Sequence, residues 1–264
     1  PHMVHQSIQA DIFLEGDAVA TLKALTAAIR KRGFDEGAVA KRCDRWSKEH
    51  DMLVAAKKGE IDAALAEETI SPIGLCATLG DVLPDDTIYI DETITSRPVI
   101  VKYLDFKGPQ SFFTVASGGL GQGLGLALGA KLAMKDRLVV SVIGDGSFMY
   151  NPVTQSLALS KHKDIPIMIV VFNNQGYSAM RKEHHSYYPD GVAAASNASI
   201  GHDITDLDYA DLATPFGFYG RTVETLADLP GVLEEAYETT VEGRTAIVNV
   251  LMDEDGIASR LTVA

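Results

Sequence analysis

Two short motifs in this chain combine residue types that can hold a cation next to an anion. The first is Gly-Asp-Gly-Ser at residues 144–147, and the second is Asn-Asn-Gln-Gly at residues 173–176. Asp145 offers a carboxylate oxygen, Asn174 an amide oxygen and Gly176 a main-chain carbonyl. Such hard oxygen ligands suit Mg²⁺ or Ca²⁺ rather than zinc, and Mg²⁺ usually keeps positions open for phosphate oxygens.

The glycines and the serine of the first motif indicate where the anion would bind. Gly144 and Gly146 carry no side chain, so that backbone amides can approach a phosphate closely. Ser147 is predicted to stand at the start of a helix, where its N–H and hydroxyl can meet a phosphate. The alternative is that each motif is an ordinary turn or loop. The pairing of the two motifs favours a Mg²⁺–diphosphate site.

The elements that must position these motifs are two buried strands. Residues 138–143 and 166–172 are nearly continuous apolar runs, typical of a parallel sheet that is covered on both faces. Each motif follows one of these runs, and residues 152–161 between them can form a crossover helix. Right-handed crossovers bring both strand ends to the same edge of the sheet, where open α/β folds bind ligands. The two motifs are therefore expected to meet.

The alternation of strands and helices predicts a doubly wound, mostly parallel α/β domain over residues 72–264. The first 32 residues, predicted as a strand fragment at 9–14 and a helix at 18–29, are too few for a domain and resemble the end of one. Residues 33–71 are highly charged and are predicted to form a helical connector. The other predicted elements are strands at 87–90 and 246–252 and helices at 73–83, 124–134, 209–214 and 229–239.

Composition excludes several classes of function. The 264 residues carry 23 Lys and Arg against 36 Asp and Glu, a net charge of −13, which argues against binding nucleic acid or an anionic membrane. The two cysteines are too few for a disulfide framework and have no zinc-site spacing. Apolar runs reach only about half a membrane span, and no signal peptide is visible. We therefore expect a cytoplasmic protein.

The paired motifs resemble the thiamine diphosphate (ThDP) binding motif, in which Gly-Asp-Gly is followed, here after residues 147–172, by Asn-Asn. The surrounding sequence resembles the 2-oxoacid decarboxylase and acetolactate synthase superfamily, in particular its benzoylformate decarboxylase-like members. This resemblance implies the ThDP-binding fold of the diphosphate (PP) domain for residues 72–264 and makes residues 1–32 a remnant of a middle domain. It also implies that Asp145, Asn174 and the Gly176 carbonyl bind Mg²⁺, that Ser147 and the Gly146 amide hold the diphosphate, and that Gly144 and Tyr177 also contact the cofactor.

A second segment resembles the part of this family that bends the cofactor into a V shape, namely Ala-Ser-Gly-Gly-Leu-Gly at residues 116–121. The resemblance implies that the Gly118 carbonyl accepts a hydrogen bond from the 4′-amino group and that Leu120 wedges between the two rings. The bend brings a base close to the thiazolium C2 proton, and this proximity raises the effective molarity of the base. A Gly-rich turn before a tightly packed helix is the alternative. The segment fits neither a dinucleotide fingerprint nor a P-loop.

Two further positions complete the predicted site. Residues 91–96 resemble the family's Glu-plus-hydroxyl loop near the diphosphate, with Thr95 as the hydroxyl contact. Met180 lies four residues after Gly176, at a position that borders the substrate in this superfamily, and it predicts a hydrophobic acyl pocket. A core-filling role for Met180 on a helix is an equal alternative.

The resemblance implies the cofactor-binding half of a ThDP-dependent lyase. Such an enzyme decarboxylates a 2-oxoacid, or cleaves or forms a C–C bond through an acyl-anion intermediate. The Glu that this chemistry needs comes, in this superfamily, from a pyrimidine-binding domain on another subunit, and no residue of this chain is assigned to it. We therefore expect a second chain or fragment with that domain, a dimer of such pairs or a higher oligomer, and a 2-oxoacid or acyloin-type substrate.

Three alternatives remain open from the sequence. An acetolactate synthase-like carboligase fits the motifs as well as a decarboxylase does. A catalytically silent regulatory subunit that kept the fold is a second alternative, although intact Asp145, Asn174 and Gly176 argue against it. The third, an unrelated Mg²⁺-dependent phosphotransferase, has no use for Leu120.

Overall fold

The computed structural model describes residues 11–115, 118–196, 198, 200–204 and 207–252. The chain divides into two compact units, Pro1–Ala56 and Lys57–Ala264. In the described residues the α-helices are α1 Ala18–Arg32, α2 Glu36–Ala64, α3 Pro72–Val82, α4 Arg97–Tyr103, α5 Gly123–Ala133, α6 Asp145–Tyr150, α7 Val153–Lys163, α8 Ser178–Tyr187, α9 Val192–Ser196 and α10 Leu229–Val241, with a 3₁₀ helix at Tyr209–Phe216. The strands are β1 Ile88–Glu92, β2 Phe112–Thr114, β3 Val139–Gly144, β4 Met168–Asn173, β5 Tyr219–Val223 and β6 Ala246–Leu251.

The amino-terminal region is helical. Helix α1 starts where the Asp17 side chain accepts a hydrogen bond from the Ala20 amide, and it ends in a basic turn that complements the helix dipole. The helix predicted for the connector is confirmed as α2, 29 residues long. The strand fragment predicted at 9–14 is wrong where it can be tested, because residues 11–14 form no strand; residues 9 and 10 lie outside the described residues. The division at residues 32 and 71 stays a prediction.

The second unit contains one six-stranded sheet in which all strands are parallel, in the order β2-β1-β3-β4-β6-β5. This confirms the predicted doubly wound α/β fold. Central strand β3 lies between β1 and β4, so that Ile143 is in register with Glu92 on one side and Val171 on the other. The strand order reverses between β1 and β3. That reversal is a topological switch point, the place where ligands bind in folds of this kind.

Apolar side chains alternate between the two faces of the sheet and bury a core on each. Val140 and Val142 pack on one face with residues of α3, α4 and α10, whereas Val139 and Ile143 pack on the other with residues of α5 and α7. Burying a side chain of this size stabilises the fold by about 1.5–3 kcal/mol. The central strands are thus held firmly on both sides, and their carboxyl ends provide a rigid base for the loops that follow.

Some elements differ from the sequence prediction. The sequence predicts neither the edge strands β2 and β5 nor the helices α4, α8 and α9. The helix expected at Ser147 is present as α6 and starts two residues earlier, and residues 209–216 form a 3₁₀ helix. The edge strands are only partly buried, and they lack the continuous apolar run that marks β3 and β4. None of the helices in the described residues has the length and apolar character needed to cross a bilayer.

Candidate functional site

The two motifs meet at the carboxyl edge of the sheet. Strand β3 ends at Gly144, which is in register with Phe172 near the end of β4. As a result the Gly176 amide donates a hydrogen bond of 2.9 Å to Asp145 Oδ2, although 31 residues separate the two. The expected meeting of the strand ends is therefore confirmed.

Asp145 is a buried carboxylate, only 3% exposed, at the first position of α6. Burial raises the pKa of this carboxyl to about 6, and the hydrogen bonds from the Gly146 and Gly176 amides oppose that rise only in part. A carboxylate in this position is costly to ionise without a positive counter-charge. A bound cation would supply that charge.

The side-chain amide of Asn174 faces two oxygens of the site. Asn174 Oδ1 lies 2.9 Å from the Gly176 carbonyl oxygen and 3.3 Å from Asp145 Oδ1, while Nδ2 donates to Ser178 Oγ at 2.9 Å. Turning the amide over would replace this oxygen with a donor and convert both contacts into hydrogen bonds. The Asn174 amide thus lies within 3.3 Å of both other groups, and an inward amide oxygen would let a cation lie among the three. Adjacent ligands of an octahedral Mg²⁺ are separated by about 3 Å, so the set fits this ion.

The loop that carries Asn174 is fixed by a side-chain network that the sequence motif did not indicate. Asn173 Oδ1 accepts a hydrogen bond from the Gln175 amide, which holds Gln175 in the left-handed conformation with φ of 58°. Asn173 Nδ2 donates to Asn249 Oδ1 on β6 at 3.0 Å. The Gln175 carbonyl accepts from the Ile204 amide. Asn249 lies 76 residues from Asn173, and no spacing pattern in the sequence could have identified it.

Close packing explains two of the glycines in the motifs. A Cβ atom on Gly176 would lie 2.8 Å from the His202 carbonyl oxygen, which is backbone and cannot move aside cheaply. A Cβ atom on Gly146 would lie 2.7 Å from the ring of Tyr177. The site therefore requires glycine at 176 and brings Tyr177 against the turn at 144–147. The Gly146 amide itself donates to Asp145 Oδ1 at 2.8 Å.

Asp145, Asn174, Gly176 and Tyr177 line a cavity of about 150 Å³. That volume is well below the roughly 300–1,000 Å³ of complete small-molecule pockets, so the described residues form only part of such a pocket. Gly118 is exposed and does not line the cavity, and its neighbours Ala116 and Ser117 lie outside the described residues. The lining includes most of the residues expected from the sequence: Thr95, Leu120, Gly144, Asp145, Gly146, Ser147, Asn174, Gly176, Tyr177 and Met180.

Met180 is 51% exposed on α8 and lines the cavity. The core-filling alternative for this residue is therefore wrong. Its role in an acyl pocket stays a prediction.

The turn at residues 93–96 is held by Asp91. This buried carboxylate accepts hydrogen bonds from the amide and the hydroxyl of Thr93. It also forms an ion pair with Arg97, whose Nε lies 2.6 Å from Asp91 Oδ2. Thr95, within this turn, lines the cavity. The neighbouring Glu92 does not line the cavity. Its carboxylate contacts backbone amides at the start of α5.

Ordinary metal-site signals are absent from the part of the chain that the structure describes. No group of three or more His, Cys, Asp or Glu side chains in that part is placed to hold a metal ion. The candidate metal site therefore depends on one carboxylate, one amide and one main-chain carbonyl. Such a donor set is found from motif spacing and geometry rather than from clustered acidic residues.

Comparison with known proteins adds independent information. The family described as "Thiamine pyrophosphate enzyme, C-terminal TPP binding domain" matches residues 95–250. Benzoylformate decarboxylase of Pseudomonas aeruginosa is 30% identical over 175 residues, which cover 66% of this chain and 31% of that protein. The large subunit of acetolactate synthase isozyme 2 of Escherichia coli is 26% identical over 225 residues, which cover 84% of this chain and 37% of that protein.

The fold also matches a solved structure. The ThDP-dependent 4-hydroxybenzoylformate decarboxylase of Rhodococcus jostii RHA1 superposes with a TM-score of 0.62 at 29% identity, over 71% of this chain and 33% of that one. The chain thus spans about a third of the length of the relatives that it matches.

Proposed function

Because this chain belongs to the thiamine pyrophosphate enzymes, through their C-terminal TPP-binding domain, we propose that it forms the Mg²⁺- and diphosphate-binding half of an enzyme that decarboxylates a 2-oxoacid or cleaves or forms a C–C bond. The observation that carries the proposal is that the Asn174 side-chain amide meets the Asp145 carboxylate and the Gly176 carbonyl. When bound, the cofactor would supply an electron sink for the negative charge that develops on the carbonyl carbon of the substrate.

Each wall of the cavity has a proposed part in binding. Asp145, Asn174 and the Gly176 carbonyl would hold Mg²⁺, for which their geometry is suited. Ser147 and Thr95, on two sides of the cavity, would contact the diphosphate. The Gly146 amide already donates a hydrogen bond to Asp145. We therefore propose that Gly146 lets the ligand approach the backbone closely and does not itself donate a hydrogen bond to the diphosphate. Gly144 and Tyr177 complete this wall.

The remaining predicted residues would contact the rings and the substrate. Leu120 lines the cavity and is only partly exposed, as a wedge between two rings would require. Met180 would supply an apolar wall of the acyl pocket. For Gly118, the proposed hydrogen bond from the 4′-amino group to its carbonyl rests on the family resemblance.

We further propose that catalysis needs a second chain or fragment with a pyrimidine-binding domain, in a dimer of such pairs or a higher oligomer. Asp145 is the only carboxylate among the described residues that line the cavity, and the metal would occupy it. A group that moves a proton on the cofactor must then come from elsewhere. The small cavity and the coverage of only about a third of the relatives support the same proposal.

Calorimetric titration with ThDP and Mg²⁺ tests the proposed site. The wild-type chain should give a heat of binding that depends on both components, and Asp145→Ala should abolish it because the only charged ligand is lost. The exposed Asp81 on α3 provides a control, and Asp81→Ala should bind as the wild type does. Equal binding by Asp145→Ala and the wild type would overturn the metal assignment, and absent binding by the wild type would overturn the proposed function.

The need for a partner is tested by activity. The purified chain, supplied with ThDP, Mg²⁺ and either pyruvate or benzoylformate, should show no turnover, and addition of the chain that co-purifies with it should restore turnover. Substantial turnover by the isolated chain would contradict the requirement for a second domain.

Lyase activity of the decarboxylase type is the reaction that we propose, with a carboligase as the second candidate because an acetolactate synthase subunit is among the relatives. Product analysis of the restored complex with pyruvate distinguishes acetaldehyde from acetolactate. We also propose a cytoplasmic location, which is supported by the free thiols of Cys43 and Cys76.

A further inference from the structure

Glu92, the last residue of β1, is a fully buried carboxylate whose hydrogen-bond donors are all uncharged. Its Oε1 accepts from the backbone amides of Gly121 and Gln122 at 2.8 and 2.9 Å. Its Oε2 accepts from the Gly123 amide at 3.0 Å and from Asn151 Nδ2 at 2.6 Å. The carboxylate thus occupies the amides at the start of α5, where the helix dipole favours a negative charge.

Asn151, which follows α6, joins this carboxylate to a second element. Its Nδ2 also donates to the Ser147 carbonyl at 2.9 Å, and its Oδ1 accepts from the Leu124 amide at 3.1 Å. The side chain is 7% exposed. Glu92 and Asn151 together connect the end of β1, the start of α5 and the helix α6.

These three elements each carry a wall of the cavity. The turn at 93–96 follows Glu92 directly, Leu120 precedes the Gly121 amide, and α6 contains Asp145 and Ser147. We propose, on the basis of the function proposed above, that Glu92 and Asn151 are positioning residues that set the distance between the apolar wall at Leu120 and the diphosphate-binding wall. Neither residue lines the cavity.

Close steric contacts show that β1, α5 and α6 are tightly packed where Glu92 and Asn151 join them. A Cβ atom on Gly123 would lie 2.7 Å from Glu92 Oε2 and 3.0 Å from Glu92 Cβ. Gly121 has a φ of 97°, and its Cβ would lie 2.7 Å from the Tyr150 carbonyl oxygen on α6. On the same helix, a Cβ on Gly125 would have no neighbour within 4 Å. Displacing the Glu92 carboxylate should therefore move the segment that contains Leu120.

The variant Glu92→Gln tests this role because it keeps the shape of the side chain. Its amide group would face the donors from Gly123 and Asn151, so that two of the four hydrogen bonds would be lost. Inorganic diphosphate with Mg²⁺ would contact the metal ligands, Ser147 and Thr95, and it would not reach Leu120. ThDP would also contact Leu120, so the displacement should weaken its binding selectively.

Calorimetric titrations with Mg²⁺ and either ThDP or inorganic diphosphate measure this selectivity. Glu92→Gln should weaken the binding of ThDP by about tenfold or more and that of inorganic diphosphate by less than about threefold. Glu60→Gln is the control, because Glu60 accepts hydrogen bonds from Lys102 and Tyr103 away from the cavity, and it should change neither affinity. An equal loss of both ligands would indicate a merely structural role and overturn the inference.

Hydrogen exchange in the ligand-free chain provides a second measurement. The amides of residues 121–124 should exchange faster in Glu92→Gln and in Gly123→Ala, but not in Gly125→Ala, which adds the same methyl group to α5 without touching Glu92. Unchanged exchange in both of the first two variants would overturn the inference. A wild-type chain that binds no ThDP would overturn the proposed function and this inference with it. If the wild type binds ThDP, and Glu92→Gln prefers ThDP over inorganic diphosphate by the same factor as the wild type, the inference alone fails.

Discussion

At the residue scale, the charge of Asp145 links the site to the pH dependence of stability. Burial raises its pKa to about 6, above the ordinary value of 3.8 that applies to the unfolded chain. Between these values the folded state binds more protons than the unfolded state, so the free energy of unfolding falls as the pH rises. Ionised Asp145 thus costs stability in the ligand-free protein above pH 6.

Comparison of the wild type with Asp145→Asn isolates this effect, because other titrating groups cancel. Relative to the variant, the wild type should lose about 2–3 kcal/mol of unfolding free energy between pH 4 and pH 7, as measured by urea unfolding without ligand. With ThDP and Mg²⁺ present, the wild type alone should gain stability as Asp145 ionises. A difference that stays constant with pH would show that Asp145 titrates normally.

The sequence predicted the residues of the two motifs because their spacing and the preceding apolar runs place them at one sheet edge. Glu92 was expected near the diphosphate, and its contact with the start of α5 was not foreseen. Asn151 and Asn249 were missed altogether. Asn151 meets Glu92 across 59 residues of sequence, and Asn249 meets Asn173 across 76. Hydrogen bonds over such separations leave no periodic signal.

At the element scale, Gly220 determines how closely the 3₁₀ helix packs against β5. A Cβ atom at this position would collide with the Ala210 carbonyl oxygen and lie 2.9 Å from the Ala213 Cβ. Both contacts belong to the 3₁₀ helix Tyr209–Phe216, whose backbone would have to shift. Gly231 on α10 is a matched control, because its Cβ would meet nothing within 4 Å.

Gly220→Ala should lower the free energy of unfolding by about 1–3 kcal/mol, the usual cost of inserting a methyl group into a packed contact. Gly231→Ala should leave stability unchanged or raise it by up to about 1 kcal/mol, since alanine favours the helix. Chemical denaturation of both variants measures the difference. Equal stability would show that the 3₁₀ helix adjusts without cost.

The elements that sequence analysis identified are those buried on both faces. The strands β3 and β4 have continuous apolar runs and were predicted within one or two residues. The edge strands β2 and β5 were missed because their partly exposed residues show no such run. Helix α6 was anticipated only as the segment that starts near Ser147. Its six residues are too few to show a helical period.

At the scale of the whole molecule, both hydrophobic cores lie in the unit Lys57–Ala264. Among the described residues, the first contributor to either core is Ile61. The residues of the proposed site also lie in this unit. We therefore expect the second unit to fold, and to bind ThDP with Mg²⁺ at the proposed site, without residues 1–56.

A truncated chain that starts at Lys57 should fold cooperatively, with an unfolding free energy within about 0.5 kcal/mol of the full chain, the range of changes away from the core. Its affinity for ThDP with Mg²⁺ should match that of the full chain within about threefold, a difference that corresponds to less than 1 kcal/mol. Urea unfolding and calorimetry provide the measurements. A truncated chain that fails to fold would show that residues 1–56 stabilise the second unit.

The donor set of one carboxylate, one amide and one carbonyl has a consequence for how ligands enter the site. With Asp145 as its only anionic ligand, a divalent cation held there would keep a net positive charge in a chain whose overall charge is −13. The negative charge of a diphosphate would offset this positive charge, so each ion should raise the affinity for the other by the same factor. With such reciprocal coupling, the site would bind the metal ion and the diphosphate together with high affinity and either ion alone only weakly.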